Sequence, residues 1–258
     1  MKAVILAGGQ GTRLAEETHL VPKPMVEIAG KPMIWHIMKI FSKFGINDFI
    51  ICAGYKGHII KRYFADFAFL SSDVTFNIPE NTIEIHQQNN EDWSVTVVDT
   101  GEHTMTGGRL LRIKEYIKEE TFMLTYGDGV SDVDILDLIS FHEEHKCLAT
   151  LTAVRPPGRF GIVKFAANND SCVQSFEEKA DTNETWINGG FFVLNMGIFD
   201  YIQDGDNTIW EQSPLQDLAK ANELCGYQHK GFWQAMDTLR DKKNLETICT
   251  RSNKLPWL

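Results

Sequence analysis

Five apolar residues, Ala3-Val4-Ile5-Leu6-Ala7, run directly into Gly8-Gly9-Gln10-Gly11 near the start of this 258-residue chain. A run that is apolar at every position has no wet face, so a strand built from it must be covered on both sides. The pattern recurs. Pro32 opens an amphipathic helix with Ile34, Ile37, Met38 and Phe41 at i, i+3, i+4 and i+7, stopped at Gly45. Phe49-Ile50-Ile51-Cys52-Ala53 is a second buried strand, closed by Gly54. A helix around Ile59 to Phe67, another marked by Leu110, Ile113 and Ile117, a strand from Phe122 to Tyr126 and a helix from Val133 to His145 continue the alternation. Strands separated by helices at this spacing predict βαβ units, and so an α/β fold with a doubly wound, mostly parallel sheet.

Two stretches break the rhythm. Val74 to Ile78, Thr82 to His86 and Val95 to Val98 read as strands without an intervening helix, a β-rich insertion. Within it, Thr82 to His86 and Ser94 to Val98 alternate polar and apolar residues, as the two half-buried strands of a hairpin would. A hairpin beside a doubly wound sheet leaves an apolar face needing cover, from the parent domain or from a neighbouring subunit. From 160 to 195 the chain is strand-rich again, with Gly161 to Phe165, Val173 to Phe176 and Phe191 to Leu194. Helical patterns near Leu215 to Ala221 and Leu239 to Thr250 complete it. No internal repeat or flexible linker interrupts the chain, which predicts a single domain over 1–258.

Charge narrows the function. The chain has 25 basic and 35 acidic residues, a net charge of −10, without the basic footprint of a nucleic-acid binder. A few clustered Lys and Arg can still make a cationic pocket for a small anion. The five cysteines (52, 147, 172, 225 and 249) are odd in number and widely spaced, which argues against a disulfide framework; Cys147 and Cys172 read as small buried hydrophobes. The apolar core at the amino terminus is too short for a signal peptide, and the longest apolar stretch, Trp186 to Phe199, includes Asn188 and Asn195. A cytoplasmic protein is expected.

Three constellations carry chemistry. In Leu6-Ala7-Gly8-Gly9-Gln10-Gly11-Thr12-Arg13-Leu14, glycines after a strand let backbone N–H groups close on phosphate oxygens, and Arg13 adds a bidentate donor. Leu14 stands where a dinucleotide fingerprint has its third glycine, and no GK[ST] ending makes this a P-loop. In Val21-Pro22-Lys23-Pro24-Met25, two prolines fix the backbone around one lysine, a second phosphate ligand. In Thr125-Tyr126-Gly127-Asp128-Gly129, a carboxylate sits between glycines at a strand's carboxyl end, where α/β sheets bind ligands and where a divalent cation could bridge to phosphates.

Together, GGxGTRL, KPM and a strand ending in GD resemble the sugar-phosphate nucleotidyltransferases, over essentially the whole chain. Thr104-Met105-Thr106-Gly107-Gly108-Arg109, the Tyr126 to Asp132 string and the run from Trp233 to Lys242 are similar to the branch that joins CTP and α-D-glucose 1-phosphate into CDP-glucose, releasing pyrophosphate, on the way to the dideoxy sugars of surface polysaccharide such as O-antigen. The resemblance implies a Rossmann-like domain, its nucleotide-binding half mainly 1–130 and its strand-rich sugar-phosphate-binding half mainly 131–258. It assigns Leu6, Ala7, Gly8, Gly9, Gln10, Gly11, Thr12, Arg13, Lys23, Thr104, Arg109 and Asp128 to the nucleotide. Tyr126, Gly161, Glu178, Lys179, Asn188 and Gly189 fall on the sugar phosphate side. Arg13, Lys23 and Lys179 are the implied catalytic cations, Asp128 and Asp237 the Mg²⁺ carboxylates. Members are commonly homo-oligomers, which favours a neighbouring subunit as the cover for the hairpin.

The chemistry is coherent without the resemblance. A sugar phosphate oxygen is already an anion, so no general base is needed; the task is to bring two phosphates in line against their mutual repulsion, which positioned cations accomplish. Two other readings stay open: the same fold using UTP or dTTP, and a non-catalytic sugar-nucleotide-binding domain, which would be expected to lose Arg13, Lys23 or the aspartates. The His142-Glu-Glu-His145 pair reads as the solvated face of a helix rather than a metal site. Phe232, Trp233, Trp186, Phe191 and Phe192 read as core and pocket wall.

Overall fold

The computed structural model describes residues 1–86, 91–155, 162–166, 169–177, 185–251 and 255–258. Apart from a two-residue pairing of Glu27–Ile28 with Lys31–Pro32, its strands are β1 (Lys2–Ala7), β2 (Asp48–Ala53), β3 (Val74–Asn77), β4 (Thr82–Ile85), β5 (Ser94–Asp99), β6 (Thr121–Tyr126), β7 (Gly129–Ser131), β8 (Ala149–Val154), β9 (Ile162–Ala166), β10 (Asn169–Glu177), β11 (Ile187–Asn195), β12 (Leu224–Gln228) and β13 (Trp233–Ala235). The longer helices are α1 (Met33–Ser42), α2 (Gly57–Ala65), α3 (Thr106–Ile113), α4 (Ile135–His145), α5 (Ser213–Lys220) and α6 (Leu239–Arg251).

Seven strands form the central sheet in the order β12-β8-β11-β6-β1-β2-β5. β1 lies parallel to β2 and β6, β5 parallel to β2, and β12 parallel to β8. Only β11 runs against its neighbours in this sheet, β6 and β8, so the sheet is mixed but mostly parallel. Period-two alternation sends Ala3, Ile5 and Ala7 into one core with Ile34, Ile37, Met38 and Phe41 of α1. Val4 and Leu6 point into the other, with Leu110 and Ile113 of α3 and Trp210. Both faces of β1 are thereby dry, as its unbroken apolar run requires. Parallel neighbours on both sides of β1 align the carboxyl ends of β1, β2, β5 and β6, where the chain opens into loops.

Three expectations need correction. The hairpin pairs β3 with β4, while β5 leaves it to extend the main sheet beside β2. The polar–apolar alternation of Ser94 to Val98 therefore marks a sheet-edge strand rather than a hairpin arm. His142 is not on a solvated face: it is 3% exposed, its Nδ1 is 2.8 Å from Thr150 Oγ1, and burial lowers its pKa. Its spacing from Ile135 and Leu138 puts it on the buried stripe of α4, whereas His145 is exposed. Cys147 is buried but not a free thiol. Pairing of β8 with β12 brings Cys225 beside it, and the two form a disulfide. Among the described residues, no helix is long and apolar enough to cross a membrane.

Candidate active site

The glycine loop is shaped from beneath by Arg109. This side chain, 4% exposed, donates from Nη1 to Thr100 Oγ1 and Gly101 O, each at 2.7 Å, and to Ala53 O at 3.3 Å; Nη2 donates to Gly8 O at 3.0 Å and Glu102 O at 3.4 Å. One guanidinium thus ties the loop after β1 to the ends of β2 and β5. All these acceptors are neutral oxygens, so its charge is left to act on whatever occupies the loop; burial lowers its pKa. The loop turns at Gly11, where φ is +63° and a Cβ would lie 2.8 Å from Thr18 Cγ2. Glycine is required there on both counts. Glu102 and His103 expose their side chains; Glu102 contributes only its carbonyl.

Lys23 lies in a tight turn behind Pro22 and reaches two carboxylates at once: its Nζ is 2.7 Å from Asp128 Oδ2 and 2.7 Å from Asp237 Oδ1. Arg13 Nη1 approaches the other oxygen of Asp237 at 2.9 Å. The aspartates meet because β13 pairs antiparallel with β7, setting Ala235 opposite Gly129, and because Met236 N donates to Asp128 O at 2.8 Å. Burial alone would lower the Lys23 pKa, but the two carboxylates outweigh it and the pKa is raised. Lys23 stays an ammonium at neutral pH.

Two cavities adjoin this cluster. The larger, about 340 Å³, is walled by the glycine loop, Arg13, Lys23, Thr104, Arg109 and Asp128. The smaller, about 210 Å³, is walled by Asn188, Gly189, Trp233 and Asp237. Arg13, Tyr126 and Asp128 line both, forming a seam between them. Leu6, Ala7, Gly8, Gly9, Gly11 and Thr12 all line the larger cavity; of the loop residues expected there, Gln10 does not. Gly161, Glu178 and Lys179 lie outside the described residues.

Trp233 lines the smaller cavity, as the pocket-wall reading of the aromatic residues expects; Gly190 and Glu211 were not singled out from the sequence. Trp233 donates from Nε1 to Gly189 O at 2.7 Å and fixes the floor of the smaller cavity. At Gly190, where φ is +86°, a Cβ would meet Tyr126 Cδ2 at 2.7 Å, so the paired glycines inside a strand were the available signal. Tyr126 accepts from Asn188 Nδ2 at 3.2 Å; burial, with the Glu211 carboxylate behind it, pushes the phenol's pKa up and keeps it neutral. Glu211 in turn accepts from Thr106 Oγ1 at 2.7 Å.

The donor set fits a hard divalent cation. Both aspartates reach one point, now held by the Lys23 ammonium, and Mg²⁺ commonly takes one or two protein carboxylates, completing its shell with phosphates and water. Among the described residues, no group of three or more His, Cys, Asp or Glu forms an all-protein cage.

A mostly parallel sheet with a glycine loop, gathered cations and a two-part cavity at its carboxyl edge defines a phosphate-handling nucleotide-binding fold. Comparison with known proteins narrows it. The family described as nucleotidyl transferase matches residues 2–237. A glucose-1-phosphate cytidylyltransferase of Salmonella typhimurium is 57% identical over 258 residues, covering 100% of this chain and 98% of that protein. A probable glucose-1-phosphate cytidylyltransferase of Bacillus subtilis is 44% identical over 241 residues, 93% of each. The crystal structure of a putative glucose-1-phosphate thymidylyltransferase from Bacillus anthracis shares the fold, with a TM-score of 0.70 at 18% identity, covering 98% of this chain and 97% of that one. The chain belongs to the nucleotidyl transferase family.

Proposed function

We propose that this protein joins CTP and α-D-glucose 1-phosphate into CDP-glucose, releasing pyrophosphate. The observation that carries this reading is the Lys23–Asp128–Asp237 cluster at the seam of two cavities, in a chain 57% identical along its length to a glucose-1-phosphate cytidylyltransferase. The larger cavity takes the triphosphate, with the loop N–H groups and the charge of Arg109 facing its oxygens and Thr104 on the nucleotide. The smaller takes the sugar phosphate, with Tyr126, Asn188 and Gly189 around the ring and Glu178 and Lys179 assigned to its hydroxyls and phosphate. The substrates then meet where Arg13 and Asp128 line both cavities. No proton has to be removed from the attacking oxygen, so these residues hold the two phosphates in line and offset their repulsion. Mg²⁺ on Asp128 and Asp237 would supply charge neutralisation on the transferred phosphoryl group. As Lys23 passes from the carboxylates to the phosphates, it follows the charge as it redistributes.

Substrates that are charged metabolites fit a reaction in the cytoplasm, and the product suits polysaccharide dideoxy-sugar synthesis. Pyrophosphate release measured with glucose 1-phosphate and each nucleoside triphosphate in turn tests the reading. CTP is expected to be used at least tenfold better than UTP or dTTP; preference for either of those refutes the base assignment, and no release with any triphosphate refutes catalysis.

A further inference from the structure

We propose that Asp241 is a positioning residue that holds Asp237 in place for a divalent cation; this rests on the reading of Asp128 and Asp237 as the metal carboxylates. Asp241 is 5% exposed, in the first turn of α6. Its Oδ2 accepts from Thr238 N at 2.9 Å and Thr238 Oγ1 at 2.9 Å, while Asp241 N donates to Thr238 Oγ1 at 3.3 Å. This is a reciprocal capping box, Thr-x-x-Asp, at the helix start. A cap needs no more. Yet the same Oδ2 also accepts from the backbone N–H of Asp237, at 3.1 Å, one residue before the box.

That additional bond has a geometric effect. On its amino side, Asp237 follows Met236, whose N–H is fixed on Asp128 O. Its own N–H, and that of Thr238 on its carboxyl side, converge on Asp241 Oδ2. The backbone of Asp237 is thus bracketed between the turn that carries Asp128, between β6 and β7, and the helix capped at Thr238. Its carboxylate is set against that of Asp128 closely enough for one ammonium to bridge them at 2.7 Å each. Lys242, next along α6, adds a tether to Glu17 at 2.6 Å, just beyond the glycine loop. Metal ligands held by such outer contacts lose affinity when the support goes, by about 10–100-fold.

The test separates positioning from capping. Asp134 caps α4 through the same kind of bonds, to Leu136 N at 2.9 Å and Asp137 N at 3.0 Å, with no contact to the site. The readout is the factor by which Mn²⁺ tightens CTP binding to the full-length protein, by calorimetry without sugar phosphate, alongside Tm and the Mg²⁺ concentration for half-maximal activity. Asp241→Ala is expected to shrink the Mn²⁺ factor about tenfold or more, leave metal-free CTP affinity unchanged, and raise the Mg²⁺ requirement, with kcat recovered at high Mg²⁺. Asp134→Ala should lower Tm and move neither metal readout. If Asp241→Ala fails to fold, Asp241→Asn, which keeps an acceptor but not the charge, must shrink the factor several-fold. A lowered Tm with an unchanged Mn²⁺ factor in whichever variant folds overturns the proposal. Asp237→Asn tests the underlying reading separately: if that variant keeps the wild-type Mn²⁺ factor, the metal assignment itself fails, whatever Asp241 does.

Discussion

Adding one methyl group at Gly8 tests how rigidly the loop is held. A Cβ there would lie 2.0 Å from Arg109 Nη1 and 2.2 Å from its Cζ, far inside contact distance. An arginine tip could normally swing away cheaply. This one is 4% exposed and holds two of its bonds at 2.7 Å, so moving it by more than an ångström breaks them. Overpacking costs about 1–3 kcal/mol, and each lost bond to a charged donor adds about 1.5–3 kcal/mol. With partial rehydration from the adjoining cavity, Gly8→Ala is expected to cost roughly 3–5 kcal/mol. For a chain of this size that lowers Tm by roughly 10 °C. Gly9 is the internal control: a Cβ there meets nothing within 4 Å, so Gly9→Ala should stay within about 0.5 kcal/mol. Urea and thermal unfolding followed by circular dichroism measure both, with CTP affinity by calorimetry as the functional counterpart. A Gly8→Ala protein as stable as Gly9→Ala, with wild-type CTP affinity, would refute the claim that Arg109 is fixed beneath the loop.

Lys23→Met leaves Asp128 and Asp237 facing each other; kcat/KM should fall at least about 100-fold, and Mg²⁺ should raise Tm more than in the wild type, an equal rise refuting the shared cation position. His36 donates from Nε2 to Ile28 O at 2.8 Å and accepts from Trp257 Nε1 at 3.3 Å, and burial lowers its pKa, as at His142. Both take up a proton less readily in the folded protein than in the unfolded chain, which protonates below about pH 6.5, so this part of the stability is full above that pH and lost as pH falls below it. The urea midpoint should therefore drop between pH 7.5 and 5, and a flat midpoint counts against it. Phe76 (58% exposed), Ile78 (80%) and Ile83 (54%), on or beside the β3–β4 hairpin, mark the face proposed to seat against another copy. Replacing all three by Ser should lower the oligomer order seen by light scattering, and an unmodified protein that is monomeric at micromolar concentration removes the idea.

What the sequence disclosed follows from the range of the forces involved. β1, β2 and β6 announce themselves because strands buried on both faces are apolar over most of their length, and α1 because its four apolar positions share one stripe. The glycine loop and Lys23 are local patterns, legible without a fold. The meeting of Asp237 with Asp128 was visible only through family resemblance, because it depends on a three-residue ladder between β7 and β13 that no periodicity announces. Arg109 could be placed near the nucleotide, but not beneath the loop; its acceptors are backbone carbonyls, and any residue type supplies those. His142 was misread although its stripe partners Ile135 and Leu138 were in view, since a polar residue is assigned to solvent unless a buried partner such as Thr150 is known. The pairing of Cys147 with Cys225 likewise waits on the β8–β12 register.

The buried guanidinium beneath the glycine loop bears on how the protein should respond to salt. Mobile ions screen exposed charges over about 8 Å at physiological ionic strength, but they cannot enter the space between a buried charge and a phosphate seated on the loop. Arg13, its side chain 72% exposed, belongs to the first kind, and Arg109 to the second. Attraction for the triphosphate should then divide into a portion that fades as salt is added and a portion that persists. The persistent portion would let an acidic protein keep its hold on a polyanion in concentrated solution, where surface charge alone would release it.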